Sequence, residues 1–175
     1  INLIGEKFSG KTHLTNIFLK KFKGIKIDAK NISNSFLKNI KIHENIVVEN
    51  LDEKIDENLL FALINIVDQD NKYLIITSII PIVNYKFELN DLKSRANNFI
   101  LSQIEKPGDD LVYALILKNL SDRQISIDKK LINFIIKRID RSYGKISDFI
   151  YKIDEISLKS KKPIDFKIIK NALGD

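Results

Sequence analysis

The chain has 175 residues, 44% hydrophobic and 30% charged, with a formal net charge of +6. That length fits one domain, or one core with a small appendage, and that balance gives a buried core and excludes a disordered polymer. There is no cysteine, and the only imidazoles are His13 and His43, which excludes disulfides, thiolate metal centres and Cys catalysis and fits a reducing cytoplasm.

No apolar run approaches the roughly 18 residues of a membrane helix, so no membrane partner is expected. Ile, Lys and Asn number 33, 25 and 17, a skew toward AT-rich codons that discounts the positive charge as a sign of DNA binding. The chain starts at Ile1 and contains no Met, so a segment N-terminal to it is expected.

In chain order, Ile1 to Ile4 reads as a buried strand ending at Gly5. Thr12 to Phe22 reads as a helix with Leu14, Ile17, Phe18 and Phe22 on one face. Gly24 to Asp28 and Asn45 to Glu49 read as strands, and Ile55 to Val67 as a helix opened by acids. Tyr73 to Thr77 is a third long apolar strand, and Asn98 to Leu101 the last. Continuous apolar strands alternating with helices indicate a parallel sheet covered on both faces.

After Pro107 the patterns are helical: Asp109 to Leu120, the face Leu131, Ile132, Ile135, Ile136 and Ile139, the face Ile146, Phe149, Ile150 and Ile153, and Asp165 to Leu173 behind Pro163. The expected organisation is an α/β subdomain over 1–103 and a small all-helical subdomain over 104–175. The two carry net charges of +2 and +4, so charge does not segregate strongly. The clusters Lys20 to Lys23 and Lys159 to Lys162 could touch phosphates, but a solvated lysine-rich face explains them better.

The strongest signal is Gly5-Glu6-Lys7-Phe8-Ser9-Gly10-Lys11-Thr12, which matches the phosphate-binding loop G-x-x-x-x-G-K-[ST]. Such a loop turns its own N–H groups toward a phosphate, so Gly is needed where a Cβ would block the approach. Lys11 offers a point charge to β/γ oxygens, Thr12 a hydroxyl to Mg²⁺, and the following helix the positive end of its dipole. The match follows an apolar strand and opens an amphipathic helix, as that mechanism requires.

A second, acidic site is expected at a later strand end, and Glu49 supplies it as a direct or water-mediated Mg²⁺ ligand. Asn50 stands next, where a hydrolytic enzyme commonly places a carboxylate; its amide can orient water but cannot take its proton. Asp52 is either a substitute base or, with Glu53, a helix-opening acid. Thr77 and Ser78 either sense a γ-phosphate or satisfy a strand end.

Only four arginines, Arg95, Arg123, Arg138 and Arg141, stand among the 25 lysines, which suggests positions where a guanidinium fork is needed. Arg95 is placed either as an arginine finger or as a surface ion pair with Asp91.

Taken together, these residues resemble the AAA+ family of the bacterial replication initiator DnaA and its paralogue Hda, the regulatory inactivator of DnaA, and resemble Hda more closely. The resemblance rests on Gly5 to Leu14, Glu49-Asn50-Leu51-Asp52, Leu74 to Pro81, Asp91 to Arg95, Arg138 to Asp148 and Lys162 to Leu173. It implies a five-stranded parallel sheet with a helical lid and ADP or ATP with Mg²⁺ between them. It assigns Gly5, Glu6, Lys7, Phe8, Ser9, Gly10, Lys11, Thr12 and His13 to the nucleotide. Thr12 and Glu49 go to the metal, Ser78 or Thr77 to the first sensor, Lys145 to the second and Arg95 to the finger.

Asn50 replaces the second acid, as in the Hda branch. Ile79 stands where DnaA has an acid, and Lys145 where the family usually has Arg. These departures imply nucleotide-gated regulation with weak or no hydrolysis by the chain itself. The implied partners are a DnaA-type initiator, the DNA sliding clamp through an N-terminal segment ahead of Ile1, and other copies in self-association. Direct DNA binding is expected to be weak, since Asp175 ends the chain before a DNA-reading domain would begin. The rivals are the ATPase core of a DnaA-type initiator, a small-molecule P-loop kinase, which the apolar helical tail disfavours, and a module whose loop binds nothing.

Overall fold

The computed structural model describes residues 1–160 and 164–174. Lys161, Lys162 and Pro163, which belong to the second lysine cluster and to the start of the family-like ending, lie outside the described residues. The chain divides into two compact units, Ile1–Ile104 and Glu105–Asp175.

In the first unit, strands β1 (Asn2–Ile4), β2 (Gly24–Asp28), β3 (Asn45–Leu51), β4 (Tyr73–Ser78) and β5 (Leu101–Gln103) alternate with helices α1 (Lys11–Lys21), α2 (Asn34–Asn39), α3 (Glu57–Gln69) and α4 (Asn90–Ala96). The strands form one parallel sheet in the order β2-β3-β4-β1-β5. β1 is flanked by the fourth and fifth strands: the chain crosses from β1 to the far edge at β2, then runs back strand by strand and passes β1 to end at β5. The C-terminal ends of β1, β3 and β4 meet at one edge, the usual ligand side of an open parallel sheet.

Ile46 and Val48 of β3 and Leu74 and Ile76 of β4 pack with Leu60, Leu63 and Ile64 of α3 and Leu92 of α4. Val47 is also fully buried, and with Glu49 it faces the other way, toward α1. Register places Lys26 beside Val47 and Asp28 beside Glu49, so β2 presents those two polar residues to the α1 side.

α3 starts at Asp56, whose carboxylate accepts the backbone N–H of Asn58 and Leu59 at 2.9 and 3.2 Å. The helix-opening role expected of Asp52 and Glu53 therefore belongs to Asp56. Asp52 instead accepts the Lys54 N–H at 2.9 Å within the turn.

Two expectations are corrected. α1 does not bury the face Leu14–Ile17–Phe18–Phe22: Leu14, Ile17 and Phe22 are exposed, Phe18 is half-buried, and Thr15 is the buried residue. The phosphate loop turns Lys11 inward, and at 100° per residue positions 15, 18 and 19 then follow it onto the sheet. The last strand is not Asn98 to Leu101 but Leu101–Gln103. Asn98 and Phe99 donate back to Arg95 and Ala96 at 3.1 and 3.3 Å, closing α4 before the strand begins.

The second unit is all helical: α5 (Asp109–Asp122), α6 (Lys129–Ile136), α7 (Tyr143–Ser160) and α8 (Phe166–Leu173). Its core joins Val112, Ile116 and Leu120 of α5 to Ile132 and Ile135 of α6, Phe149, Ile150 and Ile153 of α7 and Ile169 of α8. Ile139 is buried there too, just past the end of α6. Asp128 and Asp165 cap α6 and α8 through the N–H groups of Lys130 and Ile168. No described helix is long and apolar enough to cross a membrane.

Candidate functional site

The loop from Gly5 to Gly10 leaves β1 and closes on itself before α1. Gly5 N–H donates to Ser78 O at 3.1 Å, which ties the loop to the end of β4. A Cβ on Gly5 would come within 2.6 Å of Ser9 Oγ, so any larger residue requires that hydroxyl to turn away. Gly10 has φ 94°, in the left-handed region open to glycine, and no side chain caps the first turn of α1.

Lys11 Nζ lies inside the loop and donates to Gly5 O at 2.5 Å and Glu6 O at 2.7 Å. Burial holds its ammonium below the ordinary lysine pKa, with the Glu6 charge acting in the opposite direction. Ser9 Oγ is shielded from solvent and has no hydrogen-bond partner, which leaves one polar atom of the cradle unsatisfied by the protein. Phe8 (φ 65°), Thr12 and His13 are exposed around the loop and the start of α1. An enclosed ammonium, an unsatisfied hydroxyl and an uncapped helix start together make a cradle suited to a phosphate.

Glu49 lies near the end of β3, just before exposed Asn50, and is itself buried. Its Oε1 accepts the Thr15 hydroxyl at 2.7 Å, and its Oε2 lies 3.4 Å from Lys26 Nζ. Lys26 also donates to Asn16 Oδ1 at 2.8 Å. The Thr12 hydroxyl and the Glu49 carboxylate are hard oxygen donors of the type Mg²⁺ takes, so the residues present fit that ion. Among the described residues no group of three or more His, Cys, Asp or Glu gathers into a metal cage.

Asn50 takes φ 60°, where the β3–β4 register shifts. Its N–H donates to Thr77 Oγ1 at 3.0 Å and its Nδ2 to Asp28 Oδ2 at 2.8 Å. Thr77 and Ser78 are both buried. Ser78 Oγ donates to Ile80 O at 2.6 Å and accepts from Asn2 Nδ2 at 2.8 Å, and Asn2 Oδ1 accepts the Ile82 N–H at 2.8 Å. The strand-end hydroxyls thus have protein partners.

The structure therefore gathers the loop, Glu49, Asn50, Thr77 and Ser78 at one edge of the sheet and leaves Arg95 away from them. Arg95 pairs with Asp68 at the end of α3, not with Asp91. It lines a cavity of about 410 Å³ with Ile1, Tyr73, Leu74 and Ile100, at the N-terminal ends of the strands. The surface-pair partner expected as Asp91 is corrected to Asp68, because α3 brings its last turn alongside α4.

The other arginines also have local partners: Arg123 with Asp154 and the Tyr151 ring, Arg138 over the Phe134 ring at 3.8 Å, and Arg141 with Asp109. Lys145 is exposed in the first turn of α7, in the second unit. Sequence reasoning missed Thr15, Lys26 and Asp28. Thr15 carried a signal, since it lies one helical turn after Lys11. Lys26 and Asp28 carried none, because only strand register brings them to Glu49 and Asn50.

This sheet order, with the phosphate-type loop after β1, the strand between β4 and β5, defines an AAA+ fold. Within that class its fold and sequence are similar to those of DnaA proteins. It resembles domain III from the Thermotoga maritima replication initiation protein DnaA, with TM-score 0.79 and 17% identity over 100% of this chain and 83% of that one. The AMPPCP-bound DnaA from Aquifex aeolicus gives TM-score 0.72 and 19% identity over 98% and 59%. The Thermotoga maritima RuvB Holliday junction branch migration motor gives 0.72 and 14% over 99% and 60%, so the fold reaches beyond DnaA.

In sequence, the chromosomal replication initiator protein DnaA of Borreliella afzelii is 24% identical over 95% of this chain and 39% of its own length. That of Borrelia turicatae is 26% identical over 94% and 40%. The chain thus spans about two fifths of the length of these curated relatives. No family model matches it.

Proposed function

We propose that this chain is an adenine-nucleotide-binding AAA+ module of DNA replication initiation, Hda-like, which promotes hydrolysis of ATP held by a DnaA-type partner. The supporting observation is the separation of its two phosphate-directed groups. The loop with Lys11 lies at one edge of the sheet, and Arg95 lies among residues of the opposite edge. An arginine so placed cannot serve its own loop and is available to a neighbour's nucleotide.

On this reading Lys11 and the loop N–H groups hold the phosphates of ADP or ATP, with Ser9 and His13 beside them. Thr12 and Glu49 would hold Mg²⁺, which neutralises charge on the β and γ oxygens when bound. Asn50, its amide nitrogen committed to Asp28, can orient a water but cannot accept its proton, which fits weak turnover by the chain itself. Arg95 leaves Asp68 and stabilises the charge that builds on the partner's γ-phosphoryl oxygens as attacking water displaces the β–γ bridging oxygen. Ser78 acts as the first sensor and Lys145 as the second. The sliding clamp is the second partner, copies of the chain can self-associate, direct DNA contact is weak or absent, and the site of action is the cytoplasm.

The test mixes the chain with an ATP-loaded DnaA-type initiator and DNA-loaded sliding clamp and measures phosphate release. Arg95→Ala should lower the stimulation at least about tenfold, a threshold well below the roughly 10³–10⁵ an arginine finger supplies. It should leave folding intact, because the Asp68 pair is half exposed. Stimulation by Arg95→Ala equal to that of the unaltered chain overturns the finger. The similarity to DnaA over nearly the whole chain supports a second reading, the active ATPase core of an initiator. ATP hydrolysis by the chain alone, lost in Lys11→Ala, selects it.

A further inference from the structure

We infer that Lys26 is a built-in cation on the metal side of the nucleotide site, and that it makes nucleotide binding by this chain only weakly dependent on Mg²⁺. The inference rests on the nucleotide-binding reading of the loop.

Lys26 stands in the middle of β2, an edge strand whose neighbours Ile25 and Ile27 turn their side chains into the core. Its own side chain turns to the α1 face, where register sets it beside Val47 and two residues short of the level of Glu49. The four-carbon stem spans that offset along the sheet. The ammonium arrives 3.4 Å from Glu49 Oε2 and 2.8 Å from Asn16 Oδ1. Asn16 lies one helical turn after Thr12, on the same side of α1. The positive charge is therefore fixed between the helix side that carries Thr12 and the strand end that carries Glu49.

The carboxylate of this pair is shielded, while the ammonium stays partly solvated. The Lys26 side chain is 33% exposed and that of Glu49 only 11%. The other oxygen of Glu49 is held by Thr15, so both carboxylate oxygens have protein partners. A dication approaching Glu49 meets a carboxylate whose charge is already balanced, and it must share it with the ammonium or displace it. The ammonium lowers the negative potential that phosphates meet at this end of the loop, as a metal ion would, without having to be recruited from solution. The dication's contribution to nucleotide affinity is correspondingly reduced.

The experiment is calorimetric titration of the 175-residue chain with ADP, in excess Mg²⁺ and in EDTA. For the unaltered chain, removing Mg²⁺ should change the affinity by less than about threefold; for Lys26→Met, which keeps the stem, by about tenfold or more, through loss of affinity in EDTA. Lys26→Arg should restore the small dependence. Mn²⁺ magnetic resonance gives a second readout: in the presence of ADP, Lys26→Met should hold Mn²⁺ more tightly than the unaltered chain. Equal Mg²⁺ dependence in the unaltered chain and Lys26→Met overturns the inference and leaves the nucleotide reading standing. Failure to bind ADP or ATP in every condition overturns both.

Discussion

Thr15→Val removes one hydroxyl from the buried face of α1 and keeps its shape. That hydroxyl donates to Glu49 Oε1 at 2.7 Å, and the Thr12 carbonyl at 3.1 Å is its only other recorded acceptor. Thr15 is 1% exposed and Glu49 8%, so water cannot easily replace the lost donor. A hydrogen bond to a charged group contributes about 1.5–3 kcal/mol, and leaving a buried acceptor unpaired costs a similar amount. Val and Thr have similar helix propensity, so that term nearly cancels. Lys26 remains on the other carboxylate oxygen but is one-third exposed and screened.

The expected net loss is about 2 kcal/mol, or roughly 8–16 °C in the melting midpoint for a unit of this size. Urea and thermal unfolding followed by circular dichroism measure it. The same substitution in a Glu49→Gln background isolates the contact, because a neutral acceptor lowers the hydroxyl's contribution to about 1 kcal/mol. A loss below about 0.5 kcal/mol, or the same loss in both backgrounds, refutes the claim that this bond holds Glu49 in place.

Two further outcomes follow from the same end of β3. The Tyr85 hydroxyl donates to Leu51 O at 2.8 Å, and burial, then the charges of Asp52 and Glu53, push its pKa up to about 12. The protonated phenol is thus favoured by folding: its stabilisation is fully present below the ordinary tyrosine value near 10 and lost as pH rises toward 12. Tyr85→Phe should cost about 1 kcal/mol at neutral pH and flatten the stability profile in that window. Parallel alkaline urea profiles for the two proteins would count against it. Asn50→Asp sets a second carboxylate against Asp28, where the amide now donates at 2.8 Å. Restored ATP hydrolysis should therefore need Asp28→Asn as well; a phosphate-release assay in which Asn50→Asp alone does as well refutes this.

The parts legible in the sequence were those carried by contiguous residues. Gly5 to Thr12 specifies a loop by local backbone requirements, and the apolar runs of β3 and β4 specify strands buried on both faces. α2 and α4 span six and seven residues, under two turns each, too short to show a period. The phase of α1 was misread because apolar spacing ignores the demand of the loop, which turns Lys11 inward and carries Thr15 with it. The surroundings of Glu49 and Asn50 were illegible for a different reason. Asp28 and Lys26 reach them only through parallel register between β2 and β3, a non-local fact with no trace in the spacing of either segment.

These non-local contacts bear on how binding and turnover separate. Holding phosphates requires N–H donors and a cation, and on the proposed reading Lys11 and the start of α1 supply both from one contiguous segment. Turnover further requires a carboxylate able to take a proton from water and a dication that can be gripped firmly. Here Glu49 is shared between Thr15 and Lys26, and the amide nitrogen of Asn50 is committed to Asp28. Each of those contacts stabilises the strand end, and each draws on a group that hydrolysis would use. On the proposed reading, a site wired in this way would support nucleotide as a structural ligand more readily than as a substrate, and Arg95, half exposed and outside the network, would be the group with chemistry to offer a partner.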